Sequence, residues 1–362
     1  MNRLKATRLF KDSIYGTHLF SLFLFISACS GGDRTVSVDL ENSVRANPRP
    51  FYNELDPSKS IDIVISYGQS NAAGFGLFDS DSITGVSDST NLKTQKCVVE
   101  GNIDFNSACV EWSQMSSPSD IYLKGKYSSW IAFDQKVDSL GERTFLLINA
   151  AGDGQTLKSL LPGGEVIGPQ NGIYEYENLI SATKFAIEYY GYSSINTVSV
   201  IWLQGEIDAN IMSQNNLSNY DISLTFEDYF HDLVTLRDNI LNDLEIPILY
   251  FFINRVGLVE EPMFSFKFRD ILNDLGYWQI EFCKDNSFCS PLSTLPRTFN
   301  TENKKLSSDG IHYTSLGYNE LGNETAINWD LYMSNAEIEN IIYNSNDLYG
   351  PTIVVSAPYG TN

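Results

Sequence analysis

Four stretches of this chain are apolar at nearly every position: IDIVISY (61–67), TFLLINA (144–150), VSVIWLQ (198–204) and IPILYFFIN (246–254). Continuous rather than alternating apolarity is the pattern of strands covered on both faces, as in a parallel sheet. Between these stretches the period lengthens. ENLISATKFAIEYYG repeats apolar residues at helical spacing and stops at Gly191, a residue suited to the position just past a helix end. TFEDYFHDLVTLRDNIL opens with Thr225 and Asp228 at capping-box spacing and places Phe226, Phe230, Leu233 and Ile240 on one face. Further helices are expected within FSFKFRDILNDLGYWQIEF and in the segment that follows His312. Strands alternating with helices predict a doubly wound α/β sandwich.

The remaining segments define the domain limits. Residues 77–127, rich in Ser, Asp and Gly, read as an insertion after the first strand, and the globular domain is expected over 59–335. The tail, 336–362, contains GPTIVVSAPYG, which reads as one extra strand added at an edge. Residues 1–28 carry a positive start (Arg3, Lys5, Arg8, Lys11) and the apolar run LFSLFLFISA, the length of a signal peptide and short for a permanent bilayer span. The run ends in ISAC, which resembles a bacterial lipobox with Cys29 as the lipidated new N-terminus; a plain secretory signal cut nearby is the alternative. Either way the mature protein leaves the cytoplasm, and any membrane attachment is through this N-terminal lipid alone. Polar residues 29–58 then form a flexible tether to the domain.

Charge narrows the partners. The chain carries a net −21, and removing the leader takes four basic groups and one acidic group, leaving −24. Such a balance opposes binding to nucleic acid or anionic lipid, both of which require Lys and Arg at phosphates. Four cysteines besides Cys29 suggest disulfides in an exported protein, and short loops favour Cys97–Cys109 and Cys283–Cys289 among the three possible pairings. No CxxC pair or neighbouring histidine supports a zinc site, so no metal or cofactor is expected.

The unusual residues fall at the ends of the predicted strands. The first strand runs into Gly68-Gln69-Ser70-Asn71, the second into NAAGDGQTLKSL, and the third into Gln204-Gly205-Glu206 with Asp208 beyond. In a parallel sheet these ends share one edge, where open α/β folds hold their ligands. Gly, Ser and Asn also suit an ordinary turn, so Ser70 is a turn residue unless a base reaches it. A serine hydroxyl needs such a base to act as a nucleophile near neutral pH. Of three histidines, His18 lies in the leader and His231 on the polar face of its helix, which leaves His312. Asp309, three residues earlier across Gly310, could accept the Nδ1 proton and turn Nε2 toward Ser70. A turn at Asp309-Gly310 before a helix capped by Thr314 or Ser315 is the competing reading. Developing negative charge on an acyl carbonyl would need donors: the Ser70 N–H, the backbone of Gly154, and the Gln204 side-chain amide. Gln69, Asn71, Glu206 and Asp208 would support the site's floor.

Taken together, YGQSNAAG, WLQGEIDA and DGIHYTSLGY resemble the SGNH (GDSL-like) hydrolase superfamily, in its branch of sialate O-acetylesterases and acetylxylan esterases, over about residues 60–330. The resemblance implies a three-layer α/β/α fold around a short parallel sheet. It also implies a Ser70–His312–Asp309 triad, an oxyanion hole of Ser70, Gly154 and Gln204, and removal of O-acetyl groups from carbohydrates without a metal. The second block departs from the usual pair of adjacent glycines, reading Asp153-Gly154-Gln155-Thr156, so its donor could be Gly152 instead. The G-x-S-x-G elbow of the other large serine-hydrolase fold is missing around Ser70. A lipid esterase or thioesterase, or a glycan-binding protein without turnover, are the alternative functions. Trp112, Trp130, Trp202 and Tyr313 could stack on sugar rings or belong to the core, and Arg255 could meet a substrate carboxylate or a neighbouring acid.

Overall fold

A computed structural model describes residues 60–74, 95–98, 112–114, 128–141, 143–152, 154–164, 175–214, 224–260, 264–334, 341–343 and 353–355. The leader, the tether, Cys29 and the Cys97–Cys109 pairing lie outside the described residues. The fold is α/β, with helices on both faces of a parallel sheet. Five strands make its core, in the order β4-β1-β5-β6-β7: β1 (Ile61–Gly68), β4 (Thr144–Asn149), β5 (Ile195–Leu203), β6 (Tyr250–Asn254) and β7 (Cys289–Ser293). Numbered among themselves these strands run 2-1-3-4-5, the flavodoxin-like order, whose switch point falls between β1 and β5. The 77–127 region adds two short strands beyond β4: β2 (Gln95–Val98), parallel to it, and β3 (Trp112–Gln114), antiparallel to β2.

Strand β1 shows why the sheet has two dry faces. Ile61, Ile63, Ile65 and Tyr67 join one core, and Val64 the opposite one. Each such aliphatic side chain taken fully out of water stabilises the fold by roughly 1.5–3 kcal/mol. The first face is covered by α3 (Glu175–Tyr190), α4 (Glu206–Gln214), α5 (Phe226–Asp243) and α6 (Phe266–Asp285). The second is covered by α2 (Trp130–Leu140) and α7 (Ser315–Ser334), which pack on one another through Trp130, Phe133, Leu321 and Trp329. Asp62, a buried charge within β1, is satisfied at the strand's starting end by Thr197 (2.6 Å), Asn196 (2.8 Å) and Arg143 (3.1 Å).

Several expectations change in detail. The fourth predicted strand begins at Tyr250 rather than at residue 246, and Pro247, which has no N–H for a ladder, lies in the lost portion. Thr225 and Asp228 form the expected reciprocal capping box. Cys283 and Cys289 are bonded, closing the turn between α6 and β7. In the tail, Ile353–Val355 pairs antiparallel with Ile341–Tyr343 in a separate two-stranded sheet rather than joining the main one. Among the described residues no helix is long and apolar enough to cross a membrane.

Candidate active site

The β1 end folds sharply because Gly68 permits it. Its φ is +141°, and a Cβ there would stand 2.1 Å from the Leu203 carbonyl oxygen of β5, so no side chain fits. Gln69 is extended and donates its N–H to that same carbonyl (3.2 Å). The chain then enters α1 (Ser70–Ala73), a single turn closed by Gly74 at φ +91°. Ser70 is thus the first helical residue, whose N–H has no intrahelical partner, and its hydroxyl faces the edge of the sheet beside the switch point.

His312 reaches it from a loop held by its own carboxylate. Asp309 Oδ1 accepts the N–H groups of Ile311 (3.0 Å) and His312 (2.9 Å) and the Ser307 hydroxyl (2.5 Å). Gly310, at φ +71°, turns the chain, and the Ser307 N–H donates to the His312 carbonyl (2.8 Å) to close it. This leaves Asp309 Oδ2 for the imidazole Nδ1 at 2.8 Å, and His312 Nε2 lies 2.9 Å from Ser70 Oγ. Burial alone would raise the Asp309 pKa, but the His312 ring, the Ser307 hydroxyl and the backbone N–H of His312 outweigh it and hold the carboxyl well below its usual range. An ionised acceptor at Nδ1 places the ring proton there and makes Nε2 the acceptor for the serine proton. Ser70 is 4% exposed, while the His312 side chain is 25% exposed, so the pair opens to solvent on the imidazole side.

Asn71 ties this loop to the elbow. Its Nδ2 donates to Glu206 Oε1 (2.7 Å) and to the Ile311 carbonyl (3.2 Å), and its Oδ1 accepts from Tyr318 (3.0 Å). One amide therefore joins α1, α4, the histidine loop and α7. Burial raises the Glu206 pKa, against the Asn71 hydrogen bond and the nearby His312 charge. Gln69 accepts the Ile207 N–H at 3.4 Å. Glu206 and Asp208, expected at the site's floor beyond the third strand, occupy the first turn of α4, where carboxylates suit the exposed N–H groups.

The expected oxyanion donors separate. Gly152 donates its N–H to the Gly68 carbonyl (3.0 Å), so it is engaged in the elbow. Gly154 stands at φ +66° with open space where a side chain would be. Gln204 is fully buried, and its Nε2 donates to the Gln155 carbonyl (3.1 Å) and, in a short contact, to Asp208 Oδ2. Both amide protons are thereby engaged, and Oε1 accepts from Tyr229 (3.2 Å). The Gln155 carbonyl can only accept, so turning the amide round would set Oε1 against that oxygen. Gln204, expected as the third donor, instead stands behind the site as part of its wall. Sequence reading missed Gln279, which donates to the Gln204 carbonyl (2.6 Å) and to Tyr229 (3.0 Å). Its signal was a polar residue at the i+4 position from Leu275, on the buried stripe of α6.

Trp130, Trp202 and Tyr313 are core residues and present no ring to a substrate, and the Trp112 side chain lies outside the described residues. Arg255 is also buried. His231 is exposed on α5, with its side chain 81% accessible.

Asp208 gives this region a measurable pH signature. Burial raises its pKa from 3.8 to about 7, against hydrogen bonds from Gln204 and the Leu157 N–H. The fold therefore favours the protonated acid: this contribution is full below the unfolded value and is lost as pH rises through the folded one. Each unit of such a shift corresponds to about 1.4 kcal/mol. Asp208→Asn, neutral at every pH, is expected to flatten the fall in denaturant midpoint between about pH 4 and 7. An unchanged slope would show that Asp208 ionises alike in folded and unfolded chains.

A parallel sheet in this order carries a serine, histidine and aspartate in one hydrogen-bonded row at its edge, an arrangement suited to ester hydrolysis. The chain belongs to the family described as carbohydrate esterase, sialic acid-specific acetylesterase, whose model matches residues 60–329. Among solved structures, a protein from Arabidopsis thaliana is similar at 21% identity, with 76% of this chain and 98% of that one covered and a TM-score of 0.51. A carbohydrate acetylesterase from Xanthomonas citri is similar at 13% identity and a TM-score of 0.50, over 77% of this chain and 57% of that one. At these identities the two likenesses speak to the fold. No curated protein sequence matches the chain.

Proposed function

We propose that this protein is a serine esterase that removes O-acetyl groups from carbohydrates through an acetyl-Ser70 intermediate. The observation that carries the reading is the continuous row Ser70 Oγ, His312 Nε2, His312 Nδ1, Asp309 Oδ2, at 2.9 and 2.8 Å. Ser70 attacks the acetyl carbonyl as His312 takes its proton, and Asp309 stabilises the imidazolium that forms. In this reading the N–H groups of Ser70 and Gly154 receive the oxyanion, each such donor typically contributing roughly 3 kcal/mol in the transition state. His312 then protonates the departing sugar oxygen. Water, deprotonated by the same ring, releases acetate and restores Ser70. The leader and the lipobox-like Cys29 support action outside the cytoplasm from a lipid tether at the cell envelope.

The test is a chain-length and substrate series on the mature protein. We expect kcat/KM on p-nitrophenyl esters to fall by roughly tenfold or more from acetyl to butyryl, as an enzyme selective for acetyl groups requires. Acetate should be released from acetylated sialic acids, acetylated xylan or acetylated envelope polymers. A rate that rises with acyl length would replace this reading with a lipid esterase, and glycan binding without acetate release would replace it with a binding protein.

A further inference from the structure

Away from the triad, two arginines are buried close enough to repel one another, with no carboxylate at ion-pair distance among the described residues. Arg255 follows β6 at the sheet edge that carries Ser70, and Arg297 lies in the 3-10 turn after β7 (Leu295–Thr298); they are 3% and 6% exposed. Arg255 Nε and Nη1 and Arg297 Nε are buried and have no hydrogen-bond acceptor among the described residues. Arg297 is held from α6 by the Asn273 carbonyl (3.4 Å) and, in a short contact, by Asn273 Oδ1. One turn on, Gly276 leaves room for its neighbour: a Cβ there would stand 2.9 Å from Arg255 Nε. Among the described residues neither guanidinium has a carboxylate at ion-pair distance; Asp274, which acts on Arg297 through space, is exposed on α6.

A buried, unpaired guanidinium is costly, and two together repel one another as well. Arginine cannot escape by losing its proton: burial lowers Arg255 to about 10, and burial with repulsion from Arg255 lowers Arg297 to about 9, and both stay charged near neutral pH. Among the described residues this cradle of forked donors has no acidic acceptor. We propose that Arg255 and Arg297 bind a small oxyanion, a carboxylate or phosphate group, at a site separate from the ester-cleaving triad. Paired guanidinium forks match two-oxygen acceptors better than they match a spherical ion. The site is wired to the catalytic edge: the Val256 N–H donates to Gln279 Oε1 (3.0 Å), and Gln279 holds Gln204.

The test reads binding, not turnover, so it stands apart from the esterase assignment. The full mature chain is melted in a low-salt zwitterionic buffer with sodium phosphate, sodium acetate or, at equal ionic strength, sodium chloride. Phosphate or acetate should raise the melting temperature saturably, by roughly 5 °C at about a hundredfold excess over Kd. Chloride should do less, and the Arg255→Gln, Arg297→Gln double variant should lose the saturable part. Parallel rises in both proteins would overturn the proposal as general salt screening, and an equal response to chloride would overturn the oxyanion class. Gly276→Ala keeps both charges and tests the cradle should the double variant fail to fold. Its methyl group crowds Arg255 Nε, so the midpoint anion concentration should rise several-fold; an unchanged midpoint counts against the site.

Discussion

Ser70→Ala is expected to lower p-nitrophenyl acetate hydrolysis by roughly 10⁴–10⁶-fold while leaving the fold intact. The substitution removes one oxygen from a residue that is 4% exposed, and among the described residues the partner of that oxygen is His312 Nε2. The elbow does not depend on that oxygen. It is set by Gly68, by the Gln69 N–H to Leu203, and by Gly74 closing α1 on the Ser70 carbonyl, all of which are backbone features. The N–H groups of Ser70 and Gly154 would remain, so a small residual rate over water is expected. Two measurements check the claim together: steady-state turnover, and mass spectrometry of the Ser70 peptide after rapid quenching, which should show an acetyl adduct in the wild type alone. Turnover retained within about tenfold would remove Ser70 as nucleophile.

The sheet core was legible where strands are buried on both faces, because β1, β4, β5 and β6 have no polar alternation to obscure them. Strand β7 was not. Its sequence, CSPLS, holds two serines and a proline, and as an outer strand it pairs with β6 alone, a place where proline is tolerated. Helix α2 carried a readable stripe, with Trp130, Phe133 and Val137 at helical spacing. It was overlooked even though the insertion was bounded at residue 127, before the helix begins, because the segment between that boundary and β4 was assigned no element.

At the site, elimination among three histidines picked out the ring that contacts Ser70, and the i, i+3 spacing picked out the carboxylate on its Nδ1, because both are local or arithmetic facts. The place of Gln204 was not available that way. An amide can serve an oxyanion or a neighbouring carboxylate equally well, and the choice turned on Asp208. With residues 206–208 in a loop, Asp208 would be free to turn away. With α4 starting at Glu206, it lies in the first helical turn, against both Gln204 Nε2 and the Leu157 N–H. Helix boundaries are what sequence patterns mark least sharply, and here one boundary decides what the amide does.

Asp309→Asn should cost roughly 10⁴-fold in kcat, and the structure explains why asparagine is the substitution that isolates the charge. Asp309 Oδ1 accepts two backbone N–H groups and the Ser307 hydroxyl, and an amide oxygen can take all three roles, so the loop keeps its form. The other position becomes NH₂, a donor facing His312 Nδ1. The ring must then place its proton on Nε2, where it donates toward Ser70 instead of accepting from it. Alanine would release the Ile311 and His312 N–H groups as well and would confound catalysis with loop collapse. The native carboxyl is held well below its usual range, so its contribution to stability is present above the unfolded pKa of 3.8 and is lost as pH falls toward the folded value. The Asn variant should therefore lose activity near neutral pH and also show a flatter loss of stability below about pH 4. A variant that keeps the wild-type acid slope but loses activity would mean that Asp309 orients the ring without being ionised there; one that keeps activity would move the acid's role to another residue.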